Sequence, residues 1–139
     1  MTSQTRSTLY GDAQVALFLP SRYQEGDPIP PDLIEKAAAK TSAFLSKEFG
    51  GATHVEKALG SYQHGDGRVI EEKINRIYSA VNREIIADDG KRQLLFELAA
   101  EIATDLRQES IAVEWGQALY GVEKTSDRRA TQRIAFTAL

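Results

Sequence analysis

Two histidines and a handful of carboxylates are the residues of this chain that can move protons. His54 and Glu56 alternate within T-H-V-E, and Glu71, Glu72 and Tyr78 follow within V-I-E-E-K-I-N-R-I-Y. An imidazole titrates near neutrality, and a carboxylate or phenol beside it is the minimum for general acid/base chemistry. His54 with Glu56, Glu71 and Tyr78 is therefore the candidate catalytic set. The competing account of His54 is a strand histidine satisfied by backbone or water. Pairing about a turn at Gly65-Asp66 places His54 opposite Ile77 and Glu56 opposite Asn75. A slip of one residue brings Tyr78 beside His54, and sequence alone does not fix the register.

A second group lies just beyond an apolar run, A-Q-V-A-L-F-L, that Pro20 closes. Arg22 and Tyr23 begin a loop, P-S-R-Y-Q-E-G-D-P-I-P-P, stiffened by all 4 prolines of the chain. Loops at strand ends often carry binding residues because a rigid sheet positions them. Metal chemistry is poorly supplied. With 0 cysteines and 2 histidines, thiolate and all-histidine sites are excluded. His64-Gly65-Asp66-Gly67 lacks the oxygen ligands of a calcium loop and reads as a hairpin turn. The common phosphate, dinucleotide, zinc-protease and serine-hydrolase signatures do not occur, so no metal and no cofactor is expected.

The elements that must hold these residues follow from periodicity. Ala13 to Leu19 is short, almost wholly apolar and stopped by proline, which predicts a buried strand. From Pro31 to Phe49, Ile34, Ala37, Ala38, Thr41, Phe44, Leu45 and Glu48 keep helical spacing, with Pro31 in the first turn and Gly50 past the end. The region from Gly50 to Val81 predicts a long hairpin. Its second strand alternates imperfectly, because Ile74 and Ile77 have opposite parity, and a bulge between them is the expected repair. Residues 82 to 90 read as a loop with at most one helical turn, with Asp88 or Asp89 capping a second long helix over about Gly90 to Gln108. Leu94, Leu95, Leu98, Ile102 and Leu106 make that helix's stripe. Ile111, Val113 and Trp115 alternate as a strand, and Ala118 to Val122 supplies a further short one. Trp115 and Tyr120 read as caps on the core, ahead of partner anchors.

The expected fold is α+β: a ferredoxin-like β-α-β-β-α-β sandwich, an antiparallel sheet with two helices on one face and a possible extra C-terminal strand. One domain covers residues 13–123, between a flexible N-terminus over 1–12 and a basic tail over 124–139. The reverse face of such a sheet is left open, which favours a homodimer or a protein partner there.

Net charge is −3 at neutral pH, yet Lys124, Arg128, Arg129 and Arg133 face only Asp127 in the last sixteen residues. The acidic balance therefore sits in the body, which argues against a nucleic-acid coat, with weak phosphate contact through the tail the one exception. The sheet strands also lack the aromatic and basic interleaving of RNA readers. No apolar run reaches the roughly 20 residues of a membrane span, and the start lacks a signal-peptide apolar region, so a cytoplasmic location is expected.

L-F-L-P-S-R near the start, F-G-G-A-T after the first helix, D-G-R-V-I-E-E before R-I-Y-S, and R-Q-E-S-I-A-V-E before the last turn carry a resemblance. Over about Val15 to Val122 the chain resembles a group of small uncharacterised bacterial proteins with a ferredoxin-like α+β domain. The resemblance implies that fold and no established activity, and it singles out Arg22, Thr53, Glu71 and Glu72 as the motif residues. Arg22, Tyr23, Thr53 and Glu72 are thus the candidate ligand-binding set. Two functions result. First in rank is a non-enzymatic, dimeric binding or accessory module; second is a small acid/base enzyme using the His/Glu/Tyr cluster on the sheet.

Overall fold

The central strand decides the architecture. In the computed structural model, which describes residues 4–63, 65–124 and 132–136, β1 (Ala13–Leu19) pairs antiparallel with β3 (Val69–Val81) on one side and β4 (Ile111–Trp115) on the other. β2 (Thr53–Gln63) lies outside β3, while β5 (Ala118–Lys124) and β6 (Gln132–Phe136) continue beyond β4. The result is an α+β fold on a six-stranded antiparallel sheet ordered β2-β3-β1-β4-β5-β6. β6 falls in the stretch expected as a basic tail, and residues 125–131 and 137–139 of that stretch lie outside the described residues, as does His64 of the expected turn.

Strand alternation sends Val15, Leu17 and Leu19 to one face, joined there by Ile77 and Val81 of β3 and by Ile111, Val113 and Trp115 of β4. Two long helices, α1 (Pro31–Phe49) and α3 (Asp89–Asp105), cover that face. α1 begins as expected, with proline in the first turn and Asp32 beside it, and ends at Gly50, whose φ of 91° closes the last turn through an N–H bond to Ser46 O. α3 is capped by Asp88, whose carboxylate accepts from the Lys91 N–H at 3.1 Å. Its buried arc is wider than the expected stripe. Phe96 is buried and packs on Tyr120, whereas Leu94 is 43% exposed. The one-turn helix α2 (Arg83–Ile86) precedes it. Trp115 caps the core: its Nε1 donates to Ile86 O at 2.9 Å and its ring meets Phe49 edge-on. No helix of the described residues is long and apolar enough to cross a membrane.

His54 lies opposite Ile77 as expected, but Glu56 is not paired with Asn75, because the bulge is on the other strand and takes it in. Register shifts between Val55 and Ala58 of β2, where Lys57 takes a φ of 57°. β3 runs through without interruption, so Ile74 and Ile77 do face opposite sides of the sheet. Ile77 enters the core, and Ile74 faces the side that carries no helix.

Because Leu17 is fully buried at the centre of the sheet, Leu17→Ala should lower stability by about 2–5 kcal/mol in urea unfolding. Leu59, 68% exposed on β2, is the control: Leu59→Ala should stay within about 0.5 kcal/mol of the parent.

Candidate functional site

The face without helices is not flat. A cavity of about 600 Å³ opens over it near the carboxyl end of β1. Phe18 of β1, Ile74 of β3, Ala112 of β4 and Leu119 of β5 form an apolar floor, with Gly60 and Gly121 among the lining residues. Polar side chains stand around this floor: Gln24 from the loop after β1, Glu72, and Gln108, Glu109 and Ser110 from the approach to β4. A concave apolar surface of this size with few convergent polar groups is the usual form of a small-molecule site. A smaller cavity of about 410 Å³ lies at the other end of β1, between Asp12, Arg83, Ile86 and Gln117.

Glu72 ties the groove to the loop. One carboxylate oxygen, Oε1, accepts the backbone N–H of Ser21 at 3.0 Å and that of Arg22 at 3.1 Å. Two N–H donors on one carboxylate oxygen fix the side chain and satisfy two loop amides that the ended strand leaves unpaired. The rest of the loop is tied as firmly. Ile29 donates its N–H to Ser21 O at 2.9 Å and buries its side chain in the core. Gln108 Nε2 donates to Arg22 O at 3.3 Å, Gln24 Nε2 donates to Glu109 at 3.1 Å, and the Arg107 guanidinium lies 4.8 Å from the Tyr23 ring.

Beside the floor, Arg76 reaches from β3 across β1. Its Nη2 donates to Gln14 at 2.9 Å and to both Glu114 oxygens at 3.3 and 3.4 Å, and its guanidinium stacks 4.4 Å from the Tyr78 ring. Ala16, between these partners, is small enough to let the side chain pass and is itself fully covered. Arg76 and Glu114 thus form a polar wall next to Phe18 and Ala112, which lie in the same rows of the same face.

The proposed catalytic set does not assemble. His54 points toward the helix side, where its Nε2 meets Asn75 Oδ1 at 3.0 Å. Tyr78 points to the opposite face against Arg76. Glu56 lies in the bulged segment and is exposed, and Glu71, opposite Ser61, alternates away from Glu72. Of the ligand-binding set, Arg22 and Glu72 meet, through the Arg22 backbone; the Arg22 side chain turns away to Gly26 O at 3.4 Å. Tyr23 packs under Arg107, and Thr53 stands opposite Tyr78 beyond the groove. Phe18, Gly60, Ile74, Glu109 and Glu114 were not signalled as site residues. The parity break at Ile74 was their trace: an isoleucine on the uncovered face marks an apolar floor rather than a bulge.

Glu72→Ala should speed hydrogen exchange at the Ser21 and Arg22 amides by about tenfold or more while leaving core amides of β1 slow, since one charge-assisted bond is worth on the order of 1–3 kcal/mol.

No family model and no curated protein matches this chain. Among solved structures, a phage SAM lyase in the apo state is 19% identical, with 99% of this chain and 97% of that chain covered and a TM-score of 0.53. A phage SAM lyase in complex with S-methyl-5′-thioadenosine is likewise 19% identical, covering 98% and 97%, with a TM-score of 0.50. At that identity the likeness is one of fold. It nevertheless corrects the first-ranked expectation of a non-enzymatic module: nearly the whole length of this chain shares its fold with an enzyme, so the fold gives no support for a purely binding role.

Proposed function

We propose that this chain is a small lyase acting on SAM or a closely related sulfonium nucleoside, with the groove over Phe18, Ile74, Ala112 and Leu119 as its active site. The observation that carries the reading is Glu72, a carboxylate fixed at one oxygen by two backbone amides on the edge of a cavity large enough for a nucleoside. Its other oxygen has no partner among the described residues and is available to a ligand's hydroxyl or amino donors. The likeness in fold to a lyase solved with S-methyl-5′-thioadenosine supports the substrate class. The strand order β2-β3-β1-β4 under two helices supports reading those elements as a ferredoxin-like unit lengthened by two strands.

The lining suits such a reaction. S-methyl-5′-thioadenosine is the neutral thioether left when a SAM sulfonium loses its amino-acid arm, the bonding electron pair passing to sulfur. Positive charge at sulfur therefore disappears along the reaction. Carboxylates pressed on the sulfur would hold the ground state more than the transition state. An apolar floor beneath it, with Glu72 and Glu109 confined to the rim, leaves the sulfonium poorly solvated and favours collapse to the neutral product. A lyase adds no water, so the arm itself replaces the lost bond. Either its own carboxylate closes on the carbon to give a lactone, or a neighbouring proton leaves to a base to give an unsaturated amino acid.

Incubation with SAM should release S-methyl-5′-thioadenosine, and chromatography of the second product distinguishes the two routes. Glu72→Ala should lower kcat/KM by roughly a hundredfold, the loss of one charged contact in a desolvated site. Absence of any cleavage, together with no binding of S-methyl-5′-thioadenosine by calorimetry, would overturn the assignment. We also keep a homodimer through the uncovered sheet face as a proposal, supported by Val55, which is 41% exposed there. Light scattering at the monomer mass would sink it.

A further inference from the structure

Gly60 stands out because nothing in the fold calls for glycine there. It sits inside the β2–β3 ladder, directly opposite Glu72 on the groove face. Gly50 and Gly11 show what a backbone or packing reason looks like. Gly50 closes α1 at a φ of 91°, and a Cβ on Gly11 would come within 2.7 Å of Val81 backbone atoms. Gly60 has no positive φ, and a Cβ built on it meets Ile74 Cδ1 at 3.5 Å and Glu72 O at 3.7 Å, ordinary van der Waals contacts. A glycine inside a strand weakens it and often marks where a ligand approaches the backbone closely. Directly opposed residues on one sheet face hold their Cβ atoms about 5 Å apart, so a side chain at position 60 would grow over Ile74 into the part of the groove next to the Glu72 side chain.

On the reading of the groove as a nucleoside site, we infer that Gly60 is its specificity-determining residue: the missing side chain lets the ligand lie against the β2 backbone and present its hydroxyl or amino donors to Glu72. The loop on the other side of Glu72 is held at Oε1 and by Ile29, so the β2 side is where the carboxylate stays accessible. Gly60 acts by leaving room and takes no part in the chemistry.

The test is a size series, Gly60→Ala and Gly60→Val, followed by thermal unfolding and by calorimetric titration with S-methyl-5′-thioadenosine. Both variants should unfold at or above the temperature of the parent, because the fold has room for a Cβ and strands favour β-branched residues. Affinity should fall by about threefold for Ala and by at least about tenfold for Val, in step with the volume added beside the carboxylate. A Val variant that binds like the parent overturns the inference alone. So does a Val variant that fails to fold, since packing and not the ligand would then require the glycine. A parent chain that does not bind S-methyl-5′-thioadenosine at all removes the nucleoside reading and this inference with it.

Discussion

Everything in this molecule follows from β1 lying in the middle of a sheet that has helices on one side only. Val15, Leu17 and Leu19 lie in one buried cluster with residues of α1 and α3, so that face becomes a close-packed core. The alternate residues, Ala16 and Phe18, face the other way, and the chain must do something else with them. It covers Ala16 with the Arg76–Glu114 pair and leaves Phe18 as the floor of a groove. One strand thus supplies stability from one side and the floor of a groove from the other.

The loop after β1 gives that groove a fixed rim. A connection of this length would ordinarily be among the more mobile parts of a small domain. Here it is pinned by Glu72, by the buried Ile29 and by Gln108, and stacked under Arg107 at Tyr23. Glu72 therefore has two duties, ordering the rim and offering a carboxylate to the groove. A group whose own geometry is fixed before the ligand arrives loses little entropy on binding, which is the general advantage of preorganised sites.

Much of the scaffold was legible from residue order. Pro31, Asp32 and Gly50 announced both ends of α1, Asp88 or Asp89 was expected to cap α3 and Asp88 does, and the Gly65-Asp66 turn gave the pairing of His54 with Ile77. One misreading came from the assumption that every apolar residue of the hairpin serves the helix-covered core. That assumption placed a bulge in β3 to bring Ile74 inside, whereas the bulge is at Lys57 in β2 and Ile74 belongs to the groove. On α3 a single narrow stripe took in Leu94 and left out Phe96, whereas the helix is buried over a broader arc. The His54–Tyr78 cluster failed for a simpler reason, since neighbours in the ladder differing by one residue point to opposite faces. Glu72 was singled out, but its partners were not: backbone amides of a loop fifty residues earlier leave no side-chain signature.

The proposal that the groove beside Glu72 holds a sulfonium nucleoside or its thioether product stands or falls on where that product binds. A crystal structure of the chain with S-methyl-5′-thioadenosine tests it most directly. The nucleoside is expected over Phe18 and Ile74, with a hydroxyl or amino donor within about 3.2 Å of Glu72 Oε2. Density for the nucleoside in the other cavity, between Asp12 and Gln117, with the groove holding only water, would contradict it.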